Sequence, residues 1–173
     1  GLTECKGAVD IPVIGLGEAS MLMALSMGGQ LGLVTIDPSC IDWHERQVRT
    51  HCFDRRVAGV RAVHMDLPSF MRAFMDEDTY ARVRADFIEQ VRPLVAAGAE
   101  VILPAGGLPM LLFSRECPFV IDSALVLNGI AVAAKAAEMA LSLRQLTGAV
   151  VSRRSTYAKA SAACVDEYLR ARW

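Results

Sequence analysis

The stretch Val101-Ile-Leu-Pro-Ala-Gly-Gly-Leu-Pro109 decides the fold. An apolar run, Val101 to Leu103, enters a tight Pro104-Ala105-Gly106-Gly107 turn, and a helical pattern begins at Leu108 and runs to Phe113. Strand, turn and helix in that order make the joint of a parallel α/β sheet, where backbone N–H groups gather around a small anion. Upstream, Ile11–Leu16 is a second apolar run, read as a buried strand, which enters Gly17-Glu-Ala-Ser20 and then a helix over Ala19–Met27. Gly28-Gly29 is that helix's stop. Two carboxylate-sized cradles are thus expected, yet neither loop carries a Cys, Ser or His where a nucleophile or base would stand.

The same alternation continues on both sides. Leu31–Thr35 reads as a strand, and Asp37-Pro38-Ser39 as a helix start, with Ser39 and Asp42 at capping-box spacing and the helix reaching about Cys52. Val57–Val63 is a further strand, interrupted by Gly59 and Arg61. Asp76-Glu-Asp78 places three acids before a helix over Thr79–Ala97, where they complement the helix dipole. The positions Val83, Phe87, Ile88, Val91, Leu94 and Val95 keep helical spacing, and Gly98 is the stop. Strand Phe119–Ile121 and a long apolar helix from about Leu125 follow, then a basic Arg153-Arg154 tail and a last helical turn or two over Asp166–Trp173. Strands alternating with helices predict parallel sheets flanked by helices.

Composition narrows the function. The 173 residues fit one domain or two small lobes. With 18 Lys+Arg against 19 Asp+Glu, no basic excess exists for nucleic-acid phosphates. No apolar run is long enough for a membrane span, and the helix near Leu125–Leu143 is interrupted by Asn128, Lys135 and Glu138. Five cysteines (Cys5, Cys40, Cys52, Cys117, Cys164) are an odd number without CxxC spacing, which argues against a disulfide framework or a zinc site. Free thiols fit a cytoplasmic setting. Neither glycine loop reads as GxGxxG, so dinucleotide binding is not expected.

Single residues mostly take structural readings. Glu18 and Ser20 sit at a helix start, where dipole complementation and capping explain them, and Asp122 reads as a cap for the next helix. Cys5 is placed on a surface helix or turn, Cys117 in a loop, and Cys40 and Cys52 on one helix. His44 and His51, seven residues apart, fall on one helical face and read as solvated. Met21, Met23 and Met27 read as core filling.

In order and spacing, Pro12-Val-Ile-Gly-Leu-Gly-Glu-Ala19, Leu31-Gly-Leu-Val-Thr35, Gly98-Ala-Glu-Val-Ile-Leu103, Pro118-Phe-Val-Ile-Asp122 and Ser152-Arg-Arg-Ser-Thr-Tyr-Ala158 resemble the aspartate/glutamate racemase superfamily, its hydantoin racemase branch above all. The resemblance covers nearly the whole chain. It implies two pseudo-symmetric Rossmann-like lobes, here with the N-terminal one incomplete: residues 1–30 and 118–173 as the remainder of the first lobe, and 31–117 as the second. The family's upstream strands and Asn-Pro-Asn loop have no counterpart in the sequence, so a chain less stable than its parent is expected.

What the resemblance implies chemically is cofactor-independent proton transfer at the carbon next to a carbonyl of a small carboxylate or cyclic ureide. Two cysteines on opposite faces of the substrate do this in the family. Ala105 stands where the second cysteine is expected, and the first belongs to a loop upstream of Gly1, so no catalytic residue is assigned. Thr35, Ile36, Pro104, Ala105, Gly106 and Gly107 are implied to bind substrate, although a strand-end Thr also serves as a cap and a Gly-Gly loop as a bare turn. Two alternatives follow from Ala105: a decarboxylase of the arylmalonate type, or a carboxylate-binding homologue without turnover. A homo-oligomer is expected from the resemblance.

Overall fold

The computed structural model describes residues 1–171. Its elements run α1 (Leu2–Ala8), α2 (Leu16–Met27), β1 (Leu31–Thr35), α3 (Ile41–Thr50), β2 (Val57–Ala62), α4 (Leu67–Arg72), α5 (Glu77–Ala96), β3 (Val101–Pro104), α6 (Gly107–Leu112), β4 (Val120–Ile121), β5 (Ala124–Val126), α7 (Gly129–Thr147) and α8 (Ala162–Ala171). The strands form one sheet in the order β2-β1-β3-β5-β4, parallel except for the β4–β5 hairpin. The α/β class with helices flanking a mostly parallel sheet is therefore the observed architecture.

The chain groups into two compact units. One comprises Gly1–Gly15 and Ala134–Trp173, the other Leu16–Ala133. The second holds the whole sheet, β4 and β5 included. β5 joins it here because Leu125 N–H donates to Glu100 O at 3.0 Å and Leu127 N–H to Ile102 O at 2.9 Å, beside β3.

Alternation along β1 divides the core. Leu31 and Leu33 pack with Val101 and Leu103 of β3, Met21 and Ala24 of α2, and Val48 of α3. Val34 and Ile102 face the other side, against Val83, Phe87, Val91 and Leu94 of α5. Two glycines in register across β1 and β2, Gly32 and Gly59, bring α5 unusually close. A Cβ on Gly32 would lie 2.8 Å from Ile102 Cδ1 and 3.0 Å from Leu94 Cβ; one on Gly59 would lie 3.1 Å from Leu94 Cδ2. Farther along, Phe113 stacks obliquely on Phe87 at 4.3 Å between ring centroids.

Local rules account for most boundaries. Asp76 caps α5 by accepting from Thr79 N–H at 2.9 Å, so the helix starts two residues before the predicted Thr79. Gly98 ends it at φ +100°. At Asp37 the predicted capping box is replaced: Asp37 Oδ1 accepts from Ser39 N–H at 2.7 Å and starts a single 3-10 turn, Pro38–Cys40, before α3. Cys40 and Cys52 consequently flank α3 instead of sharing it. The last helix spans Ala162–Ala171, so of the predicted Asp166–Trp173 segment Arg172 and Trp173 lie outside the described residues.

Four expectations are corrected. Ile11–Leu16 is not a strand: 11–15 is irregular with Ile11 62% exposed, and Leu16 already opens α2. Pro12 offers no amide to a ladder. Met23 and Met27 are exposed, and only Met21 fills core. The strand read over Phe119–Ile121 turns back at Asp122-Ser123 into β5, so the long helix begins at Gly129, with Asn128 Oδ1 accepting from Ile130 N–H at 3.0 Å. Asp122 is thus a turn residue instead of a helix cap. α4 carries no strong apolar period and was not expected; Asp66 caps it through Ser69 N–H at 2.7 Å.

In the unit of Gly1–Gly15 and Ala134 onward, Arg153 gathers the chain. Its guanidinium donates to the carbonyls of Lys6 at 2.9 Å, Gly7 at 3.0 Å and Tyr157 at 2.8 Å, and also to Val9 O and to the Asp10 carboxylate. Lys159 pairs with the same carboxylate.

Two substitutions test this account by urea unfolding. Gly32→Ala forces α5 off the sheet and costs about 1–3 kcal/mol. Ser123→Gly relieves a left-handed residue at φ +74° and adds about 1 kcal/mol, since Asp122 (φ +47°) and Ser123 form the hairpin turn without a glycine. An unchanged midpoint in either variant contradicts the corresponding packing or turn argument.

Candidate functional site

β1 and β3 lie side by side in the middle of the sheet, and their carboxyl ends open toward the same face. In open parallel sheets this edge collects ligands, because strand ends and helix starts converge there. Here a cavity of about 120 Å³ sits at that place. Leu33 and Leu103 form its floor. Leu16, Gly17, Ser20 and Met21 of α2 close one side; Trp43, His44 and Gln47 of α3 close another; Ala105, Gly106, Gly107 and Met110 complete the wall.

The glycine loop behaves as a strand-to-helix joint. Gly106 has φ +117°, a conformation that side-chain-bearing residues rarely adopt. Of the loop amides, Ala105 N–H is already committed to Val34 O at 2.8 Å, continuing the β1–β3 ladder. Ala105 itself is 4% exposed and borders the cavity.

The structure separates the residues that the resemblance groups. Ala105, Gly106 and Gly107 border the cavity. Thr35 lies beside it on the same face of β1 as Leu33, 2% exposed, with its hydroxyl 3.1 Å from His44 Nε2. Ile36 packs against the opposite core, the one built around α5, and Pro104 ends β3 without bordering the cavity. Ser20 is not a cap: within α2 its hydroxyl donates to Leu16 O at 2.6 Å, and its side chain borders the cavity.

His44 corrects the reading of a solvated histidine face. It is 4% exposed, held between Thr35 and Trp43, whose ring meets the imidazole edge-on at 4.7 Å. His51 lies just beyond the end of α3 and stacks on Phe53, so the two histidines share no face. His64 is elsewhere, bonded to Asp86 at 3.0 Å. A usable signal was present: Val48 follows His44 by four residues, and that pair forms the buried stripe of α3. Gln47 carries no such signal, since an amide three residues from a histidine is a common surface pattern.

The cavity is electrically quiet. Its border includes no Asp, Glu, Lys, Arg or Cys, and His44 is its one group that titrates near neutrality. Burial lowers the His44 pKa from the ordinary 6.5, against a smaller opposing effect of the Gln47 amide beside the ring. Among the described residues no cluster of three His, Cys, Asp or Glu is placed to hold a metal ion, and no helix is long and apolar enough to cross a membrane.

This burial has a consequence for stability. The unfolded chain binds a proton at His44 near its ordinary pKa, whereas the folded chain resists it until lower pH. Stability is therefore undiminished above that pKa and falls as the pH drops from there toward the lowered folded value. Urea midpoints of the wild type should fall between about pH 7.5 and about pH 5.5 more steeply than those of His44→Phe. Parallel slopes would remove His44 from the account.

Comparison with known proteins agrees with this geometry. The model of the Asp/Glu/Hydantoin racemase family matches residues 1–137. Allantoin racemase from Klebsiella pneumoniae superposes with a TM-score of 0.69 at 22% identity, over 93% of this chain and 61% of that one. Allantoin racemase from Pseudomonas fluorescens gives 0.68 at 22% identity, over 92% and 63%. The chain thus spans about three-fifths of either structure. No curated protein matches the sequence. With four-fifths of its length under one family model and its sheet, glycine loop and strand-end cavity in the order that the fold requires, the chain belongs to the Asp/Glu/Hydantoin racemase family.

Proposed function

We propose that this chain provides the substrate-binding sheet of a cofactor-independent isomerase that moves a proton at the carbon next to a carbonyl. The substrate is a small cyclic ureide of the hydantoin type in preference to a free carboxylate. One observation carries the reading: the cavity at the ends of β1 and β3 is bordered by uncharged groups. Burying a carboxylate without a cationic partner is costly, whereas a neutral ring with N–H and C=O edges needs only hydrogen bonds. The similar solved structures are allantoin racemases, which fits a ureide ring.

The chemistry asked of such a site is modest in parts but demanding in geometry. Removing the proton leaves its electron pair delocalised onto the carbonyl oxygen as an enolate, and return of a proton to the opposite face inverts the centre. The protein must orient the ring, hold the enolate oxygen and supply an acid and a base. In this proposal the Gly106-Gly107 segment and the Thr35–His44 pair orient the ring, and Ala105 leaves its own side of the cavity without a thiol.

Ala105 also supports a second reading. A one-sided site suits either decarboxylation, in which CO₂ departs and the resulting enolate takes one proton, or plain retention of a carboxylate ligand.

The readings separate in deuterium oxide. The isomerase reading expects deuterium to appear at C5 of a 5-substituted hydantoin without added metal or cofactor, and Gly106→Val to abolish it by forcing the loop out of its left-handed conformation. Release of CO₂ from an arylmalonate without hydantoin exchange moves the assignment to decarboxylation. Calorimetric binding of a dicarboxylate with neither reaction moves it to a binder.

A further inference from the structure

His44 presents an unmatched atom. Its Nε2 is 3.1 Å from the Thr35 hydroxyl, while its Nδ1 is buried with no hydrogen-bond partner. Two neutral tautomers are available. If Nε2–H donates to Thr35, both the Thr35 hydroxyl hydrogen and the bare Nδ1 lack partners. If Thr35 donates to Nε2, the sole unmatched group is Nδ1–H. Burying fewer orphaned groups favours the second arrangement, because each forfeits its hydrogen bonds to water. Thr35 thereby fixes the proton on Nδ1, in the way that a hydrogen bond to one ring nitrogen sets the state of the other.

An orphaned donor beside a cavity defines what would complete it. We propose that His44 Nδ1–H is the ligand-recognising donor of this cavity: it donates to a carbonyl oxygen of an uncharged cyclic ureide and discriminates against the ring-opened carboxylate. This rests on the function proposed above. Gln47 borders the same cavity, and its half-buried amide lies against Gly17 beside the ring, where a Cβ on Gly17 would meet Gln47 Nε2 at 2.4 Å. The Gln47 amide acts on the ring, its hydrogen bonding opposing the effect of burial, yet it leaves Nδ1 without a well-placed partner. A single N–H supplies one hydrogen bond and no charge, which suffices for a carbonyl. It does not offset the desolvation of a carboxylate, and the cavity border offers no Lys or Arg to do so. Burial without a carboxylate neighbour keeps the imidazole uncharged near neutrality, in line with this role.

The test uses nitrogen-15 NMR on the full chain, whose three histidines (His44, His51, His64) give separable ring signals. Near neutral pH, the His44 signals should report a protonated Nδ1 and a bare Nε2, and a 5-substituted hydantoin should shift the Nδ1 signal. A protonated Nε2, an imidazolium, or a hydantoin that binds without moving Nδ1 overturns the proposal. Calorimetry adds the selectivity. The hydantoin should bind at least about tenfold more tightly than its ring-opened carbamoyl amino acid. His44→Asn, which keeps an N–H near the Nδ1 position, should retain that affinity within a few-fold, and His44→Phe should lose about tenfold. Equal affinities in all three proteins, each shown folded by circular dichroism, would also overturn it. Deuterium exchange on the wild type is read separately: an Nδ1 shift without exchange sinks the isomerase reading and leaves the donor assignment standing.

Discussion

Close contact between α5 and the central sheet is the constraint on which the rest of this fold depends. It exists because β1 and β2 each offer a hydrogen in place of a side chain at one register level, Gly32 beside Gly59, and Leu94 occupies the space. With α5 seated there, Val34 and Ile102 are sealed on one face, and alternation commits Leu31, Leu33 and Thr35 to the other. That second face is where α2 and α3 pack, and where the cavity opens at the strand ends. The position of Thr35 next to the site is thus a parity consequence of where Gly32 points, since the side-chain period of a strand is two.

Much of this was legible along the chain. The apolar runs Leu31–Thr35 and Val101–Leu103, the acid-led helix near Asp76 and the stop at Gly98 follow from period, capping and glycine chemistry, and each lies within a few residues of its observed element. Illegible parts share a cause, which is that neighbours distant in sequence decided them. Ile11–Leu16 has the composition of a buried strand, but composition does not provide a ladder partner. Asp122-Ser123 makes a hairpin in left-handed backbone without the glycine that announces one. His44 and His51 share a spacing, yet α3 ends at Thr50 and leaves His51 outside it, while Thr35 and Trp43 bury His44.

The cavity's chemistry was the least legible part, for a physical reason. Sequence motifs report nucleophiles, metal ligands and charged clusters, and this site is built from a tight loop, a hydroxyl, an amide and an uncharged imidazole. Its character is set by what is missing around it. An uncharged wall makes each hydrogen bond inside it count for more, because no nearby counter-charge or bulk water competes. Ala105, 4% exposed, adds to the apolar part of that wall.

Arg153 has a consequence of a different kind, in the order of events during synthesis. Its guanidinium holds carbonyls of Lys6, Gly7 and Val9 and the Asp10 carboxylate across 143 to 147 positions of sequence. The helix that it grips, α1, has seven residues and buries none of them. A helix that short has little persistence alone in water. During synthesis, Leu2–Ala8 therefore emerges long before the residue that secures it. The closing of that long loop is a late step, paid in chain entropy that rises only slowly with the length spanned.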